Sequence, residues 1–282
     1  MRFGASTFIW HSPFGDESVG QLADRAAGLG FDVLEICIED PALVTAAAVR
    51  DAAEDAGVGV SVCGAFGPDR DVSHEDPEVR RGAIGYLKTC IDLAADVGAP
   101  NVSGPMYSAT GKARLLSPEE RAQQWGWAVE SLGEVAEHAA SRGVGLAIEP
   151  LNRFETDMVN LVEQGVRLCR DIGADNVGLL IDTFHMNIEE RHIGEAIRAA
   201  DGYVRNFHAC ENDRGAPGSG HVPWDEVAQA LRDIEYDGLV CIESFTPEIK
   251  EIARAVSTWR PVAESGDQLA RDGLTFLRQK LL

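Results

Sequence analysis

Short apolar runs alternate with longer stretches of helical periodicity along the whole chain. The apolar runs are rich in Val, Ile, Leu and Phe and have the length of strands, whereas the stretches between them repeat apolar positions every three or four residues. Strands are predicted at residues 2–9, 31–38, 58–63, 101–103, 145–149, 177–182, 203–208 and 239–243. Helices are predicted at 19–29, 43–56, 79–97, 117–142, 161–172, 193–200, 224–234 and 267–282.

This alternation indicates the fold class. Eight strand-helix units follow one another in 282 residues, with no linker or low-complexity tract between them. Such a pattern favours an α/β protein with a closed (β/α)₈ barrel, organised as a single domain over residues 1–282. No glycine-rich phosphate-binding motif follows the first strand, which argues against an open nucleotide-binding sheet.

Composition narrows the range of partners. The formal net charge of −21 disfavours nucleic acid and anionic membrane surfaces, and no run has the length and hydrophobicity of a membrane span. The N-terminus reads as a strand rather than a secretory signal, so a cytoplasmic protein is expected. The six cysteines form no C-x-x-C pair, which is consistent with reduced thiols.

Ligand-type side chains stand at the ends of the last four predicted strands. They are Glu149, Asp182, His208 and Glu243, separated by 33, 26 and 35 residues, each close to one strand-helix unit. Because parallel strands of a barrel end at the same face, the four side chains are expected to converge at its C-terminal mouth.

Three carboxylates at one point would repel one another unless a cation lay between them. We therefore predict that Glu149, Asp182, His208 and Glu243 bind a divalent metal ion. An oxygen-rich set with one imidazole and no thiolate favours Mn²⁺, Co²⁺ or Mg²⁺ over a structural Zn²⁺.

Three segments resemble the motifs of the ketose 3-epimerases, which belong to the xylose isomerase-like barrels. The segments are residues 149–155 (EPLNRFE), 182–190 (DTFHMNIEE) and 208–224, which begins HACENDR and ends PW. A weaker similarity extends over the whole chain. The resemblance implies a small sugar substrate, namely D-tagatose, D-psicose (allulose) or L-ribulose, and a homodimer or homotetramer.

The resemblance also implies roles for individual residues. Glu149, Asp182, His208 and Glu243 match the family's metal ligands. Glu155, His185 and Arg214 match the residues that hold the O1 and O2 end of the sugar. The implied reaction is abstraction of the C3 proton and its return to the opposite face through a metal-bound enediolate, with Glu149 and Glu243 exchanging the roles of base and acid.

Other positions leave the sugar's identity open. The chain departs from the family pattern at Ser6, Gly215 and Ser244. Four aromatic residues that follow strands are candidates either for the sugar pocket or for core packing: Trp10, Phe66, Tyr107 and Phe245. Lys112 lies on a long loop, where a solvated position is favoured over a substrate contact.

Several alternatives remain at this stage. An aldose-ketose isomerase of the hydroxypyruvate or inosose type would use the same metal and carboxylates on a different carbon. A lyase acting on 3-oxo-glycosides would begin with the same proton abstraction. A metal-dependent endonuclease requires more His ligands and a basic groove, which the sequence does not supply. A sugar-binding protein without catalytic activity is the remaining hypothesis.

Overall fold

Eight parallel strands close into a barrel in the computed structural model, which describes residues 1–282 apart from the side chains of Glu251 and Ala255. Each strand pairs with the next, and the last pairs with the first. The strands are β1 (Arg2–Ser6), β2 (Val33–Ile38), β3 (Gly59–Gly64), β4 (Asn101–Gly104), β5 (Gly145–Ile148), β6 (Val177–Asp182), β7 (Val204–Ala209) and β8 (Leu239–Ile242). The predicted (β/α)₈ barrel is confirmed.

Helices cover the outside of the barrel. They are α1 (Asp16–Leu29), α2 (Ala46–Ala56), α3 (Pro77–Val97), α4 (Pro118–Ser141), α5 (Val162–Ile172), α6 (Thr183–Glu189), α7 (Ile193–Ala199), α8 (Trp224–Asp233), α9 (Lys250–Ala255) and α10 (Gly266–Leu281). None of these helices combines the length and hydropathy of a membrane span, as far as the described residues show.

The ends of these helices follow from local sequence. Helix α4 begins with a capping box, in which the Ser117 hydroxyl accepts from the backbone N–H of Glu120 and the Glu120 carboxylate accepts from that of Ser117. Helix α1 ends at Gly30, whose φ of 93° lies in the left-handed region that glycine adopts without steric cost. In these two helices, local capping residues set the point where the helix begins or ends.

The hydrophobic core lies between the barrel and its helices. Helix α4 illustrates how the sequence builds it, because its fully buried apolar residues recur at helical spacing on the face that packs against the barrel. These residues are Ala128, Leu132, Val135, Ala136 and Ala139.

Three local features differ from the predicted elements. Strand β1 ends at Ser6, and residues Thr7–Ile9 form a short 3₁₀ helix because the Ser6 hydroxyl accepts from the backbone N–H of Phe8. Helix α6 follows β6 directly, since the Asp182 carboxylate caps it by accepting from the Phe184 N–H. The third feature is α9, which lies in the connection between β8 and α10.

One ring of the barrel interior is polar. It is formed by Glu35 on β2, Ser61 on β3, Ser103 on β4 and Asn206 on β7. The Asn206 amide donates to both Glu35 (3.1 Å) and Ser103 (3.2 Å), although β2 and β7 are not neighbours in the sheet. These contacts cross the inside of the barrel, where branched apolar side chains are usual.

Candidate metal and sugar site

The four predicted ligand residues converge at the C-terminal end of the barrel. Asp182 and His208 are partners in the register of β6 and β7, while Glu149 and Glu243 directly follow β5 and β8. Each residue offers one ligand-type atom, and these atoms all lie within 4.8 Å of one another. All four side chains are buried, so the carboxylates are held together away from bulk solvent.

Arg214 inserts its guanidinium into this cluster from the loop after β7. Its Nη1 lies 2.5 Å from Asp182 Oδ2 and 3.0 Å from Glu243 Oε2. The guanidinium also lies over the ring of Phe184, 4.0 Å from the centroid. Arg214 adopts a φ of 67°, which is uncommon for a residue other than glycine, so the surrounding loop has to impose this conformation.

Glu211 organises the loop that carries Arg214. Its buried carboxylate accepts four hydrogen bonds from N–H groups of the loop and of the start of α8. The donors are the backbone N–H groups of Asn212, Gly218 and Val222 and the indole of Trp224. The Ser244 hydroxyl, at a position where the sequence departs from the family pattern, donates to the carbonyl of Arg214 at 2.7 Å.

His185 faces the cluster as a neutral donor. Its Nδ1 accepts from the backbone N–H of Asn152 at 3.1 Å, which assigns the ring proton to Nε2. Burial lowers the pKa of His185 to about 3, so the ring carries no charge at neutral pH. Arg214 Nη2 lies 3.2 Å from His185 Nε2. With the proton on Nε2, both nitrogens are donors that cannot bond to each other, so a substrate oxygen beside the pair would accept from both.

Glu155 lies beside this donor pair and is held by Asn152, whose side-chain amide donates to it at 2.8 Å. Burial raises the pKa of the Glu155 carboxyl, while the Arg214 charge acts in the opposite direction. The structure therefore brings all seven sequence-predicted site residues into one region at the mouth of the barrel.

Two of the carboxylates differ in their electrostatic environment. Burial, and next the charge of Glu243, raise the pKa of Glu149 well above its ordinary value. Burial alone would also raise the pKa of Glu243, but the nearby His208 and Arg214 outweigh it and lower this pKa. Separated pKa values in a pair of acids are typical of sites where one group gives a proton and the other takes it.

The donor set fits a divalent cation. Among the described residues, His208 Nδ1 is buried with no hydrogen-bond partner, and it lies 3.5 Å from Glu243 Oε2. A cation among the three carboxylates and this nitrogen would offset the mutual repulsion that raises the pKa of Glu149. Three oxygen ligands and one imidazole suit Mn²⁺, Mg²⁺ or Co²⁺.

Glu35 adjoins the cluster and was not among the predicted site residues. Its Oε1 lies 2.7 Å from His208 Nε2, and its side chain is fully buried. The sequence carried a signal that could have found it, because Glu35 is the one charged residue in the apolar run of β2. A carboxylate in a fully buried strand requires a partner.

The aromatic candidates separate into two groups. Phe245 lies 5.1 Å from the Arg214 guanidinium and packs against Phe8, so it borders the site. The other three make contacts of their own: the Trp10 indole donates to Asp267, Phe66 packs against Tyr86, and the buried Tyr107 donates to the carbonyl of Val159.

Lys112 also lies outside the cluster. Its ammonium group lies 2.5 Å from Asp71 Oδ2 and is mostly buried. Both residues border a cavity of about 500 Å³ that includes none of the seven site residues. Lys112 is therefore not a solvated loop residue. It also lies outside the metal-type cluster, which is formed by Glu149, Asp182, His208 and Glu243.

Comparison with known proteins agrees with this geometry. Residues 23–280 match the family model of the xylose isomerase-like TIM barrel. The probable ketose 3-epimerase of Synechocystis sp. is 35% identical over 99% of this chain and 96% of its own length. A solved structure of an L-ribulose 3-epimerase superposes with a TM-score of 0.94 at 31% identity, covering 99% of this chain and 94% of that one. The D-psicose 3-epimerase from Clostridium cellulolyticum H10, solved with D-tagatose, gives a TM-score of 0.90 at 30% identity, covering 100% and 99%.

Fold and site together define a xylose isomerase-like TIM barrel. Within that class, the chain belongs to the ketose 3-epimerase family. The resemblance predicted from the three sequence motifs is confirmed, and so is the enzyme class, a carbohydrate isomerase of the epimerase type.

Proposed function

We propose that this protein is a divalent-metal-dependent epimerase that inverts C3 of a free ketose such as D-psicose, D-tagatose or L-ribulose. The observation that carries the proposal is the buried cluster of Glu149, Asp182, His208 and Glu243. The names of the relatives agree with it, since they include a D-psicose 3-epimerase and an L-ribulose 3-epimerase.

The cluster would hold the metal through three carboxylate oxygens and His208 Nδ1. Mn²⁺ is the proposed resident ion, with Co²⁺ and Mg²⁺ as alternatives. When bound, such an ion acts as a Lewis acid on the sugar oxygens, which makes the adjacent C–H more acidic. The residues of the chain then have to orient the sugar and move one proton.

Glu149 and Glu243 are the proposed proton-transfer pair. They follow different strands, so they can approach C3 from opposite faces. Glu243, as a carboxylate, would take the C3 proton from one face, and Glu149 would act as the acid that returns a proton to the other face. In the reverse direction the two residues exchange roles.

His185, Arg214 and Glu155 are proposed to hold the carbonyl end of the sugar. His185 Nε2 and Arg214 Nη2 lie 3.2 Å apart, so a ketose oxygen placed beside both would accept from both N–H groups. Developing negative charge on that oxygen strengthens both hydrogen bonds. The carboxylate of Glu155 can accept from a neighbouring hydroxyl of the sugar.

We infer a homodimer or homotetramer from the family resemblance, and a cytoplasmic location stays a prediction. The formal net charge of −21 disfavours nucleic-acid and membrane partners. Size-exclusion chromatography with light scattering measures the assembly, and a monomer at micromolar concentration would contradict the inference.

Deuterium exchange distinguishes the proposed reaction from its alternatives. Metal-loaded protein is incubated in D₂O with D-psicose, D-tagatose, L-ribulose, the phosphate esters of these sugars and, separately, a 3-oxo-glycoside. Deuterium at C3 of a free ketose, together with the C3 epimer, is expected. Deuterium at C1 would identify an aldose-ketose isomerase, and release of an aglycone from a 3-oxo-glycoside would identify a lyase.

Glu243→Gln tests the proton-transfer role directly. The substitution keeps the size of the side chain and removes the base, so kcat is expected to fall about 10²–10⁴-fold. Glu190→Gln is the matched control, because its half-buried carboxylate only accepts from the backbone N–H of Val162. Near-normal turnover of Glu243→Gln at saturating metal would reject the two-base scheme.

A further inference from the structure

The polar ring inside the barrel lies one step below the metal-type cluster. Asn206 precedes His208 by two residues on β7, so both side chains point into the barrel at successive levels. Glu35 pairs in register with Ser61 of the adjacent strand. Four polar residues at this depth carry an energetic cost that apolar ones would not.

Glu35 is the charged member of the ring, and its two oxygens have different partners. Its Oε2 accepts from the Ser61 hydroxyl at 3.0 Å and from the Asn206 amide at 3.1 Å. Its Oε1 faces His208 Nε2 at 2.7 Å, with the Cys241 thiol farther away at 3.6 Å. Taking a carboxylate out of water costs several kcal/mol, so each partner is needed.

The imidazole of His208 stands between two levels of the barrel. Its Nε2 points down to Glu35, while its Nδ1 points up to Glu243 at 3.5 Å. The ring is fully buried, and neither nitrogen has an aligned hydrogen-bond partner among the described residues. The neighbour of Nε2 therefore decides which nitrogen is available as a ligand.

We propose that Glu35 is a positioning residue that keeps the His208 proton on Nε2 and thereby presents Nδ1 to the metal ion. This inference rests on the proposed metal-dependent function. A carboxylate that accepts from the second ring nitrogen fixes the tautomer and ring orientation of a metal-bound histidine and makes it a better ligand. Ser61 and Asn206 in turn hold the carboxylate in place.

The His208 ring is not yet oriented for a hydrogen bond to Glu35. The 2.7 Å contact is short, but the N–H does not point along it closely enough to form an aligned hydrogen bond. The proposal therefore requires the imidazole to rotate until its N–H points at Oε1.

Nitrogen NMR of the wild-type protein tests the tautomer without any substitution. The metal-free protein, labelled with ¹⁵N in its histidines, is titrated with Mg²⁺ as a diamagnetic probe. Protonated Nε2 and unprotonated Nδ1 are expected for His208 in the metal-bound protein. A proton on Nδ1, or binding of a second ion between Glu35, His208 and Cys241, would overturn the proposal.

Glu35→Gln tests how much Glu35 contributes to the affinity for the metal ion. An amide offers only one acceptor, so its NH₂ group has to face either His208 Nε2–H or the donors Ser61 and Asn206. The affinity for Mn²⁺, measured by electron paramagnetic resonance of free Mn²⁺, is expected to fall about 10–100-fold. A change smaller than threefold in a folded variant would reject the positioning role.

A matched control separates this effect from loss of stability. Asp71→Asn makes the same change at another buried carboxylate, which binds Lys112 and Ser73 outside the site. It is expected to lower the melting temperature while leaving Mn²⁺ affinity within threefold; an equal loss of affinity in both variants would make Glu35 merely structural. If the wild-type protein binds no Mn²⁺ at all, the proposed function fails first, and this outcome is distinct from failure of the Glu35 role.

Discussion

Glu211 gives the sharpest test of how the active-site loop is stabilised. Both of its carboxylate oxygens are used: Oε1 accepts from Gly218 N–H at 2.8 Å and from the Trp224 indole at 2.6 Å. Oε2 accepts from the N–H groups of Asn212 and Val222, each at 3.2 Å. Substitution Glu211→Gln replaces one acceptor oxygen with an NH₂ group, which is a donor.

The number of hydrogen bonds that Glu211 accepts sets the expected loss in the free energy of unfolding. The glutamine oxygen can take the two short hydrogen bonds, so the two longer ones lose their acceptor and face another donor. A hydrogen bond to a charged group contributes about 1.5–3 kcal/mol, and the loss of two is expected to lower the free energy of unfolding by about 3–6 kcal/mol. Domains commonly have about 5–15 kcal/mol, so the variant is expected to remain measurable.

Urea unfolding followed by circular dichroism measures this difference. Glu226→Gln is the matched control, because Glu226 uses a single oxygen, which accepts from the backbone N–H of Gly194 at 2.8 Å. Glutamine retains that acceptor, so a loss below about 1 kcal/mol is expected. If both variants lose the same free energy of unfolding, with the same slope against urea concentration, the number of donors at Glu211 does not determine the stability of the loop.

Three further predictions follow from the site and the packing. Arg214→Lys removes the planar fork that contacts two carboxylates and the Phe184 ring, so KM for the sugar is expected to rise at least tenfold; an unchanged KM would contradict the substrate role. The raised pKa values of His208 and Glu149 mean that both hold protons more tightly in the metal-free folded chain than in the unfolded chain. The stability that these protons contribute is present at low pH and declines as pH rises through the raised pKa values, whereas metal binding releases the protons, so Mn²⁺ affinity should increase with pH. Calorimetry in two buffers of different ionisation enthalpy measures the protons released, and none released would be the contrary result. Gly165→Ala is expected to destabilise by about 1–3 kcal/mol because its new Cβ would lie 2.9 Å from a Leu179 methyl, whereas Gly126→Ala, with open space in α4, should stabilise by up to about 1 kcal/mol. Thermal unfolding of the two variants compares them, and shifts of the same sign would refute the packing argument.

The sequence alone was sufficient to predict the alternation of strands and helices and to identify the four ligand-type residues. Both depend on local properties, namely apolar period, helix caps and the position of a polar residue at the end of a strand. Once eight units close into a barrel, residues at equivalent strand ends are brought together, so Glu149, Asp182, His208 and Glu243 could be grouped from their spacing alone.

Local signals were ambiguous where one side chain serves two purposes. Asp182 contributes Oδ2 to the cluster and uses Oδ1 to cap α6, a short helix that periodicity did not predict. The apolar run of β1 continues past Ser6, but a hydroxyl capping contact turns the backbone into a 3₁₀ helix. Such competition depends on side-chain direction, which a pattern of apolar positions does not contain.

Only the tertiary structure decided which distant residues meet. Glu35 and His208 are on strands that are not neighbours in the sheet, and their 2.7 Å contact exists because the barrel closes. The Arg214 loop likewise depends on Glu211 gathering donors from several turns of chain. The sequence determined the kinds of groups and the strand ends where they stand, whereas their partners were set by closure and packing, because a buried charge is stable only where the folded chain brings its counterpart.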